Sequence, residues 1–184
     1  MRIEAVYQDL ALINELNVYR NMFPQREPVN GGFLGVPDDR SRPKAAEEQQ
    51  ERMGVNILSV DAPVAKLSGG QRQAIAVARS VDQKARLLLL DEPTAAMGAK
   101  ESALILDVIQ RLQAGGEMGI IITAHTHAQI FDVCDRINLI EGRRNTFGRR
   151  TSETSVEELT DMVFNEYRNA GRSVRAEPER LAEI

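Results

Sequence analysis

Four consecutive leucines, Leu87 to Leu90, run directly into two carboxylates, Asp91 and Glu92, and stop at Pro93. A run so short and so uniformly apolar predicts a strand, Arg86 to Asp91, covered on both faces. Strands of that kind belong to parallel sheets joined by crossover helices, and the neighbouring sequence supplies the alternation. The pattern predicts a helix from Gln71 to Ser80, the leucine strand, and a helix from Ala99 to Ala114 stopped by Gly115-Gly116. A strand from Gly119 to Ala124, a helix from His127 to Cys134 and a strand from Arg136 to Ile140 follow. Glu141-Gly142 reads as a tight turn into Arg143 to Phe147, and Ser155 caps a final helix with Glu157 and Glu158 in its first turn, ending before Gly171. The fold class is α/β, built on a mostly parallel sheet.

The first third follows another rule. Ile3 to Tyr7 has the β-branched and aromatic spacing of a strand that gives way to a loop at Gln8. From Leu10 to about Met22 apolar residues recur at helical spacing. Pro24, Pro28, Gly31, Gly32, Gly35, Pro37 and Pro43 then punctuate an irregular stretch before a polar helix, Lys44 to Met53. The organisation expected is a core-strand end at 1–10, a helical insertion at 11–66, the alternating core at 67–150, a C-terminal helix at 151–170 and a polar tail at 171–184.

Composition narrows the function classes. A formal net charge of -4 argues against a surface built mainly for nucleic acid or an anionic membrane. Cys134 is the single cysteine, which leaves no intrachain disulfide and no cysteine metal cluster and suits a reducing compartment. The longest apolar runs are strand-sized, far short of the roughly 20 residues of a spanning helix. The N-terminus carries an acidic residue, Glu4, where a signal peptide would have its apolar region.

Two segments carry chemistry. Leu67-Ser68-Gly69-Gly70-Gln71 places a hydroxyl and two glycines directly before a strong helix. Free backbone N–H groups there, with glycines permitting close approach, suit a phosphate, while a plain serine cap with turn glycines is the bland alternative. Asp91 and Glu92 leave the leucine strand at its C-terminal end, where parallel α/β sheets bind ligands. Adjacent carboxylates can divide labour there, one holding a cation and the other a water. Ile120-Ile121-Ile122-Thr123-Ala124-His125 delivers a histidine at the end of another buried strand.

Taken together, these strings resemble the ATP-binding subunits of ABC transporters. Ser68, Gly69, Gly70 and Gln71, continued by Arg72-Gln73 and Ala78-Arg79, match the family's signature motif. The resemblance implies a P-loop NTPase-like cassette in which that motif contacts the nucleotide of a second, head-to-tail ATP-binding subunit. Asp91 and Glu92 look like the Walker B pair, with Asp91 on Mg2+ and Glu92 as catalytic glutamate. His125 looks like the switch histidine, favoured over His127 because Phe131, Asp135, Arg136 and Ile137 fall at the family's distances from it. Val6-Tyr7-Gln8-Asp9-Leu10 resembles the Q-loop, with Gln8 reaching the Mg2+ and the attacking water. Thr94-Ala95-Ala96-Met97-Gly98 stands in the D-loop, Gly98 replacing a common aspartate. Tyr7 to Leu16, Asn21 to Phe23 and Arg26-Glu27 look most like importers of ribose, xylose and fructose. ATP, Mg2+, membrane permease subunits and, indirectly, a sugar-binding protein are the implied companions, nucleic acid is not, and the implied location is the cytoplasmic face of the plasma membrane.

One family element is missing from the string. A P-loop needs Gly-x-x-x-x-Gly-Lys-Ser/Thr, but Lys44, Lys66, Lys84 and Lys100 are followed by Ala, Leu, Ala and Glu. The resemblance therefore starts after the first strands and the Walker A segment, and the expectation is an N-terminally truncated cassette. Such a chain should not hydrolyse ATP by itself, and its exposed apolar sheet should make it poorly soluble. The alternative is a non-catalytic module that lends a signature face to a complete cassette. An ABC-type DNA-repair or chromosome ATPase is disfavoured, because 11–66 holds neither heptad arms nor zinc ligands.

Overall fold

The computed structural model describes residues 2–23, 41–55, 59–82, 85–95, 97–116 and 118–165. The irregular stretch 24–40, with its Gly31-Gly32 string, and the polar tail lie outside them. The described residues form two compact units that divide between His125 and Thr126.

The first unit is a three-stranded parallel sheet with helices. Strand β1 spans Ile3–Val6, β2 Leu87–Asp91 and β3 Gly119–Thr123, with β2 in the middle. The register sets Val6 beside Leu90 and Ile122, and Ala5 beside Leu89 and Ile121. Helix α1 covers Val18–Met22, α2 Ser41–Met53, α3 Gly69–Asp82 and α4 Ala99–Ala114. The α4 bounds coincide with the sequence expectation, and its stop has the expected cause: Gly116 takes φ +66° and donates to Gln113 O.

Among the described residues the sheet is covered on one face only. Val6, Leu88 and Leu90 are buried with Ile75, Val77, Ile105 and Ile109 of α3 and α4. Burying side chains of this size contributes about 1.5–3 kcal/mol each. The opposite face, carrying Ile3, Leu87, Leu89 and Ile121, is open, with Ile3 and Ile121 each 52% exposed. The apolar run predicted cover on both faces; among the described residues the second face has none.

The helix predicted from Leu10 to Met22 is a correction. Only Val18–Met22 is helical. Asn21 is buried and donates to the carbonyls of Ile13, Leu16 and Asn17 while accepting from Ile13 N–H, so one amide replaces the ladder of the missing turns. A side chain that satisfies backbone groups locally competes with helix, and here it wins. Helix α3 begins two residues earlier than the periodicity indicates, because Ser68 and Gln71 close a reciprocal cap.

The second unit contains helix α5, His127–Phe131, shorter than expected, and an antiparallel hairpin of β4, Arg136–Glu141, and β5, Arg144–Arg150. Its two-residue turn has positive φ at both Gly142 and Arg143, the geometry that fits the strand twist. Residues 156–165 form helix α6, capped where Ser155 Oγ accepts from Glu158 N–H at 3.2 Å. Leu159 of α6 and Val133 are buried.

Candidate functional site

Parallel register brings the chemistry to one edge. Because Leu87 to Asp91 pairs residue for residue with Gly119 to Thr123, Asp91 and Thr123 emerge side by side at the C-terminal ends of β2 and β3. Thr123 Oγ1 donates to Asp91 Oδ1 at 2.6 Å. The next residue, Glu92, turns out of the strand with φ +48°, a conformation that costs a non-glycine residue on the order of 1 kcal/mol or more. Its N–H donates to Thr123 O at 3.0 Å and to Thr123 Oγ1 at 3.2 Å. Pro93 is fully buried just beyond and Ala95 N–H closes a turn on Glu92 O, fixing the exit.

That turn aims the Glu92 carboxylate at His125. The Glu92 Oε1 to His125 Nε2 distance is 2.5 Å, with the histidine side chain 86% exposed and the glutamate 27%. The structure thus brings His125 to the Asp91 and Glu92 pair, which the sequence had singled out apart from it. The side chain of the rival His127 lies outside the described residues.

The signature residues begin α3. Ser68 N–H donates to Gln71 Oε1 at 3.1 Å, and Ser68 Oγ accepts from Gln71 N–H at 3.3 Å. Both side chains therefore serve the helix start itself. The two glycines differ. A Cβ on Gly69 would meet nothing within 4 Å, whereas one on Gly70 would lie 3.0 Å from Glu101 Cβ in α4. Gly69 is open to close approach, and Gly70 is where two helices touch.

Gln8 is exposed on the loop after β1. It shares a groove of about 350 Å³ with Asp9, Gly69, Arg72, Gln73 and Glu92. The loop is held from behind by Arg79 of α3, whose guanidinium donates to the carbonyls of Leu10 at 2.9 Å and Ala11 at 3.0 Å. Burial lowers the Arg79 pKa, with Glu4 opposing. Gln8, Gly69 and Glu92 thus line one groove, while Ser68, Gly70, Gln71, Asp91 and His125 are not among its walls.

Sequence reasoning missed Thr123 and the clamp made by Arg79. Thr123 was readable in principle, since two five-residue strands paired in parallel set it level with Asp91. Nothing in the string reveals the partners of Arg79, which lie 68 and 69 residues away.

For a metal, the donor set is sparse. Among the described residues no group of three His, Cys, Asp or Glu could hold one. That fits Mg2+, which takes one or two carboxylates together with phosphates and water, better than a metal caged by protein. One oxygen of Asp91 is fixed by Thr123, and the other has no hydrogen-bond partner among the described residues.

Comparison with known proteins agrees with this architecture. The chain is 38% identical over 164 residues to the xylose/arabinose import ATP-binding protein XylG of Sulfolobus acidocaldarius, covering 88% of the chain and 62% of that protein. It is 40% identical over 149 residues to the fructose import ATP-binding protein FrcA of Rhizobium meliloti, covering 77% of the chain and 56% of that protein. It is 34% identical to the ribose import ATP-binding protein RbsA of Hahella chejuensis, covering 88% of the chain and 31% of that protein. The chain thus spans less than two thirds of the length of these relatives. Among solved structures, cbiO1 from Clostridium perfringens, part of the ABC transporter complex cbiONQ, superposes with a TM-score of 0.68 at 24% identity, over 94% of the chain and 67% of cbiO1. A dimeric ATP-binding cassette in a post-hydrolysis state bound to ADP and Pi superposes with a TM-score of 0.64 at 22% identity, over 82% of the chain and 63% of that cassette. The family model described as ABC transporter matches residues 1–95, more than half of the 184, and the chain belongs to that family.

Proposed function

We propose that the chain is the signature, Walker B and switch-histidine portion of the ATP-hydrolysing subunit of an ABC importer for a sugar. The observation that carries this reading is the meeting of Asp91, Glu92 and His125 at the ends of adjacent parallel strands, with Glu92 and His125 in contact. Glu92 polarises the water that attacks the γ-phosphate. His125 holds Glu92 in orientation and reaches the same phosphate. Asp91 and Gln8 hold Mg2+, which when bound neutralises charge on the phosphates.

Ser68, Gly69, Gly70 and Gln71 present a helix start to the nucleotide of a second subunit in a head-to-tail dimer. Backbone N–H groups at the beginning of α3 suit that anion, and Gly69 leaves room for its approach. ATP itself is cradled by a P-loop, whose string the 184 residues do not contain, so these residues by themselves hydrolyse no ATP. The sugar importers among the relatives support the substrate class. No helix among the described residues is long and apolar enough to cross a membrane. Contact with the bilayer runs, in this reading, through permease subunits on the cytoplasmic face, with a sugar-binding protein delivering the cargo.

The test expresses the gene together with any in-frame sequence upstream of Met1 that encodes a P-loop. Glu92→Gln should lower ATP turnover by about 10²- to 10⁴-fold while ATP binding persists. Turnover retained in that variant would remove Glu92 from its role and with it the reading of this edge as a hydrolytic site.

A further inference from the structure

Asp91 and Glu92 are fixed by the same hydroxyl, one through its side chain and the other through its backbone. Thr123 Oγ1 gives its proton to Asp91 Oδ1 at 2.6 Å and accepts the N–H of Glu92 at 3.2 Å. Its single donor is thereby committed, and one lone pair is used on the residue with φ +48°. We infer that Thr123 is the positioning residue of the site, turning the free oxygen of Asp91 outward toward a divalent cation and holding the backbone of Glu92 in its left-handed turn.

The geometry favours this role over packing. Thr123 is exposed, so its methyl and hydroxyl contribute little to the core. It lies at the last paired position of β3, where a hydroxyl finds a carboxylate across the ladder instead of a loop. A charge-assisted O–H to carboxylate bond of this length is among the stronger hydrogen bonds a protein makes. A carboxylate free to rotate would have to be ordered when the cation binds. One already held by its neighbour would not, which is how partners of metal ligands raise affinity.

The inference rests on the metal role proposed for Asp91, and the experiment separates the two. Thr123→Val keeps the shape and removes the hydroxyl, Thr123→Ser keeps the hydroxyl, and Asp91→Asn is the control. The full chain is titrated with Mn2+ as a stand-in for Mg2+, free Mn2+ being read by electron paramagnetic resonance, and amide exchange is followed by NMR. Native protein and Thr123→Ser should bind Mn2+ alike, and Thr123→Val should bind on the order of 10-fold more weakly. In Thr123→Val the Glu92 amide should exchange faster while Gly119 and Ile121, whose N–H groups face β2, keep their protection, which excludes general loosening of β3. Equal Mn2+ binding by native protein and Thr123→Val overturns the role of Thr123 and leaves that of Asp91 standing. Absence of Mn2+ binding by the native chain, or binding undiminished in Asp91→Asn, removes the metal from Asp91 and overturns both.

Discussion

Arg79, near the end of α3, donates to the carbonyl of Leu10 at 2.9 Å, and so ties the helix that begins with the signature glycines to the loop that carries Gln8. The same guanidinium reaches Ala11 O, and Ala11 has φ +48°. A strained loop is thus held by a planar fork from the opposite end of the signature helix.

Replacing Arg79 by Ala should release that loop and cost about 1 to 2 kcal/mol, since two carbonyls lose a charged donor. Arg79→Lys should recover only part, because an ammonium cannot span two carbonyls in the same planar geometry. Urea unfolding of the three proteins, compared at constant m-value, measures both effects.

The signature glycines should separate cleanly in stability. Gly70→Ala brings a methyl to 3.0 Å from Glu101 Cβ and should destabilise by about 1–3 kcal/mol through overpacking between α3 and α4. Gly69→Ala meets open space and should leave thermal unfolding unchanged. If both variants melt alike, the contact between Gly70 and α4 does not support the fold.

Glu92 is held in a conformation that glycine adopts freely. Glu92→Gly should leave the fold as stable or improve it by up to about 1 kcal/mol, since relief of the left-handed backbone offsets an exposed contact with His125. Urea denaturation decides the matter, and a clear loss of stability would mean that the Glu92 and His125 pair braces the two strands. A gain would mark a residue kept for chemistry at the expense of the fold.

Cys134 is half-buried, and its thiol pKa is pushed up by burial and further by the carboxylate of Asp135. At pH 8 iodoacetamide should therefore alkylate it more slowly than a free thiol, the thiolate being the nucleophile. Unfolding in urea should restore the ordinary rate. Because the folded pKa is raised, the associated stability is complete below the unfolded thiol's pKa and falls as pH rises through the folded one.

The start of α6 should respond to acid in the opposite sense. Glu157 has its pKa lowered by a hydrogen bond with its own backbone and by the hydroxyl of Ser155. The stabilisation it gives is present above the unfolded carboxylate's pKa and is lost as pH falls through the folded one. Amide protection factors in residues 156–165, corrected for the intrinsic exchange rate at each pH, should fall on acidification, and Ser155→Ala should produce part of that fraying at neutral pH, costing about 1 kcal/mol locally.

Much of the architecture was legible because its causes are local. Four leucines before two carboxylates define β2 with little reference to the remainder, and a diglycine stop ends α4 wherever the helix packs. The candidate residues Gln8, Ser68 to Gln71, Asp91, Glu92 and His125 were legible as strings, through their order and spacing. The stretch from Leu10 to Asn17 was misread because its apolar spacing is compatible with a helix. Only the fold places Asn21 where its amide satisfies three carbonyls of that loop.

Sequence by itself determined the strands, the stop of α4 and the family. Tertiary structure decided how those parts divide their work: which glycine packs and which stays open, which sheet face is bare, and which hydroxyl serves Asp91 and Glu92 together. Periodicity and capping act over a few residues and can be read along the chain. A hydrogen bond from Thr123 to Asp91 or a contact from Gly70 to Glu101 joins positions more than 30 residues apart, and exists only once packing has brought them together.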